Sequence, residues 1–317
     1  MNLLSHQTPR RLRLAQRLCR WVPPIASMRI RTVVYPQKTA FQDDFRFTVW
    51  ARTGSRFCGR TSDFHGYPFG VHGYYDWRNW ALAGAVCSKG NTIIEVGANV
   101  GTETVGFRDI VGAEGKVFAF EPVPSNLDAL NDLVNLNRWT NVHVLPIALG
   151  DRESRVSFAL PPHKHASGEG HIVGRGEPTT SRTIEVACAR LDSLEEQVGR
   201  ARAIFCDTEG AETMVLRGAR CYIRKYKPVI VLESSPKLLW RAGSSLGDLY
   251  HTLRDVGYLA FAVGRFGVTP VSGLAVTSAG NWLCLHESES ALAKRCSMAI
   301  LTCAVLPCIR GVNPLCR

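Results

Sequence analysis

Short apolar segments alternate with helical stretches along the middle of the chain, and this alternation constrains the fold more than any other feature. Between the apolar segments, a capping-box pattern, Ser125-x-x-Asp128, predicts the start of one helix. Strands that alternate with helices are typical of a mainly parallel sheet with helices on both faces. We therefore predict an α/β, doubly wound fold. The predicted strands cover residues 91–96, 116–121, 142–147, 203–206, 229–232, 258–263 and 282–285.

Carboxylates stand at the ends of several predicted strands. Glu121 closes the second strand, Asp207 directly follows the fourth, and Glu233 directly follows the fifth. In open α/β sheets, ligands bind outside the carboxyl ends of the strands. These acids are therefore expected to line the place where a ligand binds.

A glycine-containing segment, EVGANVG at residues 95–101, begins at the end of the first predicted strand, and Glu121 follows Gly101 by twenty residues. Glycines let the backbone turn sharply and approach a ligand, and an acid at the end of the second strand can accept hydrogen bonds from ribose hydroxyls. This arrangement suits either NAD or S-adenosylmethionine. The G-x-x-x-G spacing lacks the third glycine of the pyrophosphate fingerprint, and Glu95 would repel a pyrophosphate but suit an ammonium, so the sulfonium cofactor is favoured.

Three acids lie within six residues of one another after the fourth predicted strand: Asp207, Glu209 and Glu212. Like charges at this density are costly unless cations or hydrogen bonds offset them. Their functional interpretation is that they orient a hydroxylated substrate or a metal near the transferred group. The alternative is an acid-rich helix start, in which Glu209 and Glu212 favour the helix dipole. Glu233 similarly either reaches the substrate or only ends a strand.

The net charge of +11 is concentrated at the two ends of the chain. Residues 1–42 carry +8 and residues 290–317 carry +4, so the remainder carries about −1. A nucleic-acid partner is therefore not expected, because such a partner needs clustered cations on the folded surface. The sequence also has no apolar run of eighteen residues, which argues against a membrane-spanning helix.

The basic N-terminal segment has two interpretations. On a helical wheel, Arg10, Arg13, Arg17 and Arg20 cluster beside a strip of Leu14, Leu18 and Trp21. Such a helix can lie on a membrane surface, which would be a peripheral contact. The plainer interpretation is a flexible, solvated arm.

The eleven cysteines are odd in number, widely scattered and never spaced as CxxC. This pattern fits neither a disulfide framework nor a zinc site, and we predict no metal. Arginines also interrupt any apolar core of a secretory signal in the first thirty residues. The expectation is a reduced, cytoplasmic protein. The predicted division is a basic flexible arm (1–42), an aromatic-rich lead-in that covers one face of the domain after it (43–80), the central α/β domain (81–290) and a Cys-rich tail (291–317).

Five ordered motifs over roughly residues 75–265 resemble the FkbM-type methyltransferases, which depend on S-adenosylmethionine. The motifs are EVGANVG, AFEPVPSNLDALNDLVNLN, NVHVLPIALGD, CDTEGAETMVLRGA and KPVIVLE. The resemblance implies a Rossmann-like, seven-stranded sheet of the class I methyltransferase type with an antiparallel final strand. It also implies O-methylation of a hydroxyl on a sugar, glycan or secondary metabolite.

The resemblance implies a role for particular residues. Asp207 would face the methyl-transfer centre. From their places at the strand ends, we further predict that Asp207 or Glu209 takes the proton of the attacking hydroxyl and that Glu212 and Glu233 lie near the substrate. One position departs from the family, because Phe205 stands where the K-I-D-x-E-G pattern has a Lys. Any role of that Lys as a proton acceptor or charge anchor is lost or supplied elsewhere. The implied cofactor-binding residues are Glu95, Gly97, Ala98, Asn99, Gly101, Glu121, Pro122, Ala148 and Asp151.

Two other functions remain open from the sequence. One is an NAD-dependent oxidoreductase, which the glycine loop and Glu121 also suit. The other is a non-catalytic Rossmann binding module, anchored by its basic tails and consistent with Phe205. For the methyltransferase, the expected partner is a small-molecule or glycan acceptor.

Overall fold

The apolar segments of the sequence pair as strands in the computed structural model, which describes residues 8–161, 166–174, 182–272 and 280–316. The strands are β1 (Arg46–Trp50), β2 (Arg56–Arg60), β3 (Thr92–Val96), β4 (Lys116–Phe120), β5 (Val142–Leu145), β6 (Ala148–Leu149), β7 (Ser154–Ala159), β8 (His171–Ile172), β9 (Thr183–Ala189), β10 (Ala203–Cys206), β11 (Val229–Glu233), β12 (Tyr258–Val263), β13 (Val268–Pro270) and β14 (Asn281–His286).

Helices flank these strands along the chain. They are α1 (Arg10–Cys19), α2 (Pro24–Val34), α3 (Gln37–Asp43), α4 (Gly66–His72), α5 (Trp77–Val86), α6 (Thr104–Val111), α7 (Pro124–Asn137), α8 (Glu195–Val198), α9 (Glu212–Gly218), α10 (Arg220–Tyr226), α11 (Pro236–Arg241), α12 (Leu246–Arg254) and α13 (Leu292–Val305). The capping box predicted for α7 is wrong. The helix begins at Pro124 with Val123 as its N-cap, because proline at the first helical position already has the helical φ.

The main sheet has the order β13-β12-β14-β11-β10-β3-β4-β5 within the described residues. Neighbours from β5 to β11 are parallel, and β14 is antiparallel to both β11 and β12. The predicted doubly wound, mainly parallel α/β fold is confirmed, and β14 is the antiparallel final strand. The expected count of seven strands needs one correction, since β13 adds an eighth. It is only three residues long and ends at Pro270, as suits the edge of a sheet.

Alternate side chains of the central strands enter different apolar cores. Ala203 and Phe205 of β10 pack on one face with α5, α6 and α13, whereas Ile204 and Cys206 pack on the other with α9, α10 and α12. The sheet is therefore buried on both faces, which explains its continuous apolar strands. The strand order reverses between β3 and β10, so the ligand crevice of this fold lies outside their carboxyl ends.

Two smaller units flank the main sheet. Within the described residues, β6, β9, β7 and β8 form a second sheet, joined to the carboxyl end of β5 by a short connection. The other unit is the antiparallel pair of β1 and β2, which precedes α4 and α5, and its turn bonds to Asp109 and Asn137 near the C-terminal ends of α6 and α7. The second sheet is therefore the unit that borders the crevice.

The basic N-terminal segment is folded in its described part. In place of the expected flexible arm, α1, α2 and α3 pack together, because Leu12, Ala15 and Cys19 on one face of α1 join Tyr35 and Ala40 in an apolar cluster. At the other end of the chain, α13 packs against α5 and buries its cysteines. The domain boundaries themselves stay a prediction. Every helix in the described part of the chain is too short or too polar to cross a bilayer.

Candidate active site

A tight loop connects β3 to α6 at the centre of the sheet. Gly97 has φ of 85°, and its N–H donates to the carbonyl of Phe120 on β4 at 2.9 Å. A Cβ at Gly97 would collide with the carbonyl oxygen of Asp207, so only glycine lets this loop lie against the end of β10. Asn99 also has a left-handed backbone, with φ of 50°. The glycine motif therefore brings the ends of β3, β4 and β10 together.

Glu121 lies directly after β4 and is 4% exposed. Its carboxylate accepts hydrogen bonds from the backbone N–H groups of Asn99 and Val123, both at 2.8 Å, and from the side chain of Asn126 at 3.4 Å. Burial raises the pKa of Glu121 to about 7, although these donors oppose the shift. The hydrogen bonds fix the carboxylate at the bottom of the loop formed by residues 97–101.

Glu95 lies one residue before the end of β3 and is also 4% exposed. Its carboxylate accepts a hydrogen bond from the Thr104 hydroxyl at 2.6 Å. Burial raises the pKa of Glu95 to about 8, with a further contribution from the charge of Glu121. In the parallel register, Glu95 is opposite Phe205 rather than a cation.

Asp207, Glu209 and Glu233 converge at the ends of β10 and β11. Carboxylate oxygens of the three residues lie within 4.8 Å of one another. Burial, reinforced by the neighbouring acids, raises the pKa of Asp207 to about 7, of Glu209 to about 8 and of Glu233 to about 9. The Asp207 side chain nevertheless remains open to the cleft. Such a cluster favours a positively charged or hydrogen-bond-donating ligand.

Glu212 is buried away from this cluster. Its carboxylate accepts hydrogen bonds from the N–H and hydroxyl of Thr208, both at 2.9 Å, and from the N–H of Gly210 at 3.3 Å. These contacts shape the acidic loop rather than face a ligand.

Two adjoining cavities occupy the crevice. The first, of about 50 Å³, we call the Glu121 cavity; Pro122, Val123, Ala148, Phe158 and Ser167 also line it. The second, of about 240 Å³, we call the Asp207 cavity, and its wall includes Glu95, Ala98, Phe205 and Glu233. Gly97, Asn99, Asp207 and Glu209 line both cavities. Most of the predicted site residues therefore meet in one elongated cleft.

Three predicted residues lie outside both cavity walls as the structure describes them: Gly101, Asp151 and Glu212. Gly101 has φ of 84°, and a Cβ there would come within 2.7 Å of Leu130 and Leu133 on α7, so its role is helix packing. Asp151 forms an ion pair with Arg152 at 3.2 Å. The cofactor contacts predicted for Gly101 and Asp151 and the substrate contact predicted for Glu212 stay predictions, since none of the three lines the described cleft.

The lead-in contributes cleft residues that the sequence did not single out. His65, Tyr75 and Asp76 line the Asp207 cavity, and His65 Nδ1 lies 3.3 Å from the side-chain nitrogen of Asn99. Glu103 also lines this cavity, and burial raises its pKa well above the usual value. No spacing signal marks these residues, since only the density of aromatics in residues 43–80 indicated a covering segment.

Unpartnered polar atoms mark both halves of the cleft. Asn99 Oδ1 and Ser167 Oγ in the Glu121 cavity are buried without a hydrogen-bond partner, as is Glu233 Oε2 in the Asp207 cavity. Buried polar atoms usually have partners, so these orphans indicate places where a ligand donates or accepts. A nucleoside with hydroxyls near Glu121 and a cation near Glu95 and Asp207 fits these acceptor oxygens.

Comparisons with known proteins find a matching family and a curated relative. The methyltransferase FkbM domain matches residues 95–260, more than half of the chain. Hexuronic acid methyltransferase AglP of Haloferax volcanii is 30% identical over 139 residues, which cover 43% of this chain and 53% of that protein. The chain thus spans about half the length of this curated relative.

Two solved structures are also similar. The methyltransferase FkbM of Methylobacillus flagellatus KT has a TM-score of 0.41 and 12% identity, covering 86% of this chain and 58% of that one. Fibrillarin of Aeropyrum pernix, solved with bound S-adenosyl-L-methionine, has a TM-score of 0.38 and 15% identity, covering 66% of this chain and 76% of that one.

Proposed function

Because the chain belongs to the FkbM methyltransferase family, we propose that it is an S-adenosylmethionine-dependent enzyme that methylates a hydroxyl group of a sugar, glycan or secondary metabolite. The observation that carries this proposal is the elongated cleft at the carboxyl ends of β3, β4 and β10. Its two halves present chemically different carboxylates to a ligand that spans them.

The Glu121 cavity, together with the open space at its mouth (about 530 Å³ in all), is the proposed place of the adenosine. Glu121 would accept hydrogen bonds from the ribose hydroxyls, since its carboxylate is already held in place by Asn99 and Val123. Pro122, Ala148 and Phe158 provide apolar walls for the base. Glu95, Gly97, Ala98 and Asn99 would hold the methionine part, where the negative charge of Glu95 suits the ammonium. The bound cofactor supplies an electrophilic methyl group.

The Asp207 cavity is the proposed place of methyl transfer. Asp207 or Glu209 would hold the acceptor hydroxyl and take its proton, because their pKa values of about 7 and about 8 lie near neutral pH, where a general base is most effective. Positioning the hydroxyl at about 3 Å from the reacting carbon accounts for a large part of catalysis in such a displacement. Glu233 would orient the acceptor through its unpartnered oxygen.

A third cavity, of about 570 Å³, continues outward from the cleft through Tyr75 and Asp76 and supports a sugar acceptor. Its wall combines aromatic rings with arginines: Phe64, Tyr67, Tyr74, Trp77, Arg29 and Arg265. Aromatic rings offer broad apolar faces, and arginines pair with carboxylates. Since AglP is a hexuronic acid methyltransferase, we propose a sugar that carries a carboxylate.

All eleven cysteines are free thiols, which supports the reducing, cytoplasmic location that we propose.

The decisive experiment is transfer of a labelled methyl group from S-adenosylmethionine to uronic acid-containing oligosaccharides. An ether formed on a hydroxyl resists mild base, whereas an ester formed on the carboxylate is hydrolysed, so base treatment of the product identifies the methylated oxygen. We expect base-stable label on the uronic sugar and less label on the matched neutral sugar.

Calorimetry on the same purified protein tests which cofactor it binds. Calorimetry with adenosylhomocysteine should show binding, and NAD should not compete. Tight NAD binding without adenosylhomocysteine binding would instead identify an oxidoreductase. Binding of adenosylhomocysteine without transfer to any fraction of a cell extract would favour a non-catalytic module.

A further inference from the structure

An arginine-lined pocket lies apart from the cleft, between α1, the β1–β2 pair, α4 and the C-terminal segment. Its volume is about 480 Å³. Five guanidinium groups line it, and no acidic residue does so in the described part of the chain. The five arginines are Arg13, Arg17, Arg20, Arg52 and Arg310.

The arginines of this pocket lack carboxylate partners. Among the described residues, Arg13, Arg17, Arg20 and Arg310 form no ion pair with an acid, although eight of the nine ion pairs between described residues use an arginine. Arg52 donates to the carbonyl of His72 at 2.8 Å. A concentration of like charges is unfavourable unless anions offset it, so the pocket is suited to a ligand with several negative charges.

Exposed apolar side chains border the same pocket. Trp21 and Trp50 both line it and are each 56% exposed. On α1, Leu14 and Leu18 form an exposed strip directly beside Arg13 and Arg17, while the opposite face of the helix is buried. The C-terminal segment adds exposed Ile309 and Val312 on either side of Arg310. Arginines with adjacent exposed Trp and Leu are the composition of interfacial helices.

We propose that this surface binds an anionic lipid bilayer, with lipid phosphates in the arginine pocket and the apolar border inserted at the headgroup level. A soluble phosphate would satisfy the arginines but leave the tryptophans and leucines in water. A bilayer accounts for both observations, because it offers anionic groups and an apolar layer at adjacent depths. This proposal does not depend on the proposed methyl transfer.

The test uses sedimentation of the full chain with vesicles of phosphatidylcholine alone or with added phosphatidylglycerol. We expect binding only to the anionic vesicles, weakening as salt is raised. The triple variant R13Q/R17Q/R20Q should bind roughly 100-fold more weakly, since each basic residue near an anionic surface contributes roughly a factor of five. The charge-matched control R200Q/R217Q/R220Q removes exposed arginines outside this pocket and should bind like the unaltered chain.

A second variant, L18S/W21S, distinguishes a bilayer from free phosphate. We expect it to lose vesicle binding although every arginine remains. Unchanged vesicle binding by L18S/W21S, together with full competition by inorganic pyrophosphate, would identify a soluble-phosphate site and overturn the proposal. Equal losses in both arginine triples, or no binding of the unaltered chain to anionic vesicles, would overturn it as well. The lipid and salt comparisons need no variant, so a folding defect leaves them decisive.

Discussion

Glu121 at one end of the cleft accepts three hydrogen bonds, whereas Asp207, Glu209 and Glu233 at the other end face one another. Burial raises the pKa at both ends, but hydrogen-bond donors oppose the rise for Glu121, whereas neighbouring carboxylates add to it for the three acids at the other end. The first end is built before a ligand arrives. The second end becomes favourable only when a cation or hydroxyl offsets its charges.

The largest expected effect comes from removing Glu121, whose carboxylate is held by hydrogen bonds before a ligand binds. In E121A, the N–H groups of Asn99 and Val123 lose their acceptor in a buried place, which should lower the free energy of unfolding by about 2 kcal/mol. We also expect the affinity for adenosylhomocysteine to fall roughly 100-fold, as two ribose hydrogen bonds and the loop order are lost. Denaturant unfolding and calorimetry measure the two effects. E114A, at an exposed surface position, is the control.

Equal affinity in E121A and E114A would place the adenosine elsewhere. It would also remove the difference between the two ends of the cleft, because Glu121 would then be a structural carboxylate like Glu212.

The next effect concerns Asp207 at the acidic end of the cleft, where a substitution should affect methyl transfer more than cofactor binding. In D207N, the shape of the side chain is retained but its ability to take a proton is lost, so kcat should fall roughly 100-fold. The affinity for adenosylhomocysteine should change only a few-fold, because Glu95 and Glu121 remain. Methyl transfer kinetics and calorimetry test this, with the exposed D132N variant as control. Unchanged turnover in D207N would leave Glu209 as the proton acceptor.

A third effect is the dependence on pH. Carboxyl groups of an unfolded chain titrate near ~4.3, whereas the pKa of Glu95 is about 8 and that of Glu233 about 9 in the folded protein. The folded protein therefore holds more protons between these values, and its free energy of unfolding should fall as pH rises through that window. Below about pH 8, a ligand that needs ionised Glu95 should bind roughly tenfold more tightly for each unit by which the pH is raised.

Thermal unfolding at several pH values, with and without adenosylhomocysteine, measures both trends. The stability of E233Q should depend less steeply on pH, whereas that of E114Q should follow the unaltered chain. A stability that does not change with pH across this window would show that the acids ionise as freely in the folded protein as in the unfolded chain. A stability that rises with pH would mean that folding lowers their pKa values, and either result contradicts the prediction.

The sequence was most informative where physical constraints are local. The central strands were predictable because both faces of the sheet are buried, so each strand is a continuous apolar run such as residues 203–206. Gly97 was predictable because the turn after β3 needs a positive φ, here 85°, which glycine adopts without strain. The packing of α1 was not predictable, because arginines dominate its sequence and Leu12, Ala15 and Cys19 alone do not indicate a buried face.

The cleft itself was only partly predictable. Glu212 and Glu233 are both acids near strand ends. Glu212 accepts hydrogen bonds from backbone N–H groups, whereas Glu233 faces the Asp207 cavity. That difference depends on the turn at Gly210 and on contacts over long sequence distances, which spacing does not encode. His65 and Tyr75 reach the cleft through the packing of α4 and α5, for which the sequence carries no motif.

The smallest expected effect comes from Phe205, which lies in the wall of the Asp207 cavity. Its side chain is in register with Glu95 and packs on Phe107 with ring centroids 4.2 Å apart, so Glu95 has an apolar neighbour instead of a cation. In F205K, a lysine beside Glu95 should lower its pKa, and the pH dependence of adenosylhomocysteine binding should move about one unit toward acid. F205L keeps the apolar contact and should leave that dependence in place. Identical pH profiles in F205K and F205L would mean that Glu95 is not the group whose ionisation controls binding, and that the preference for a cation arises from Asp207 and its neighbours alone.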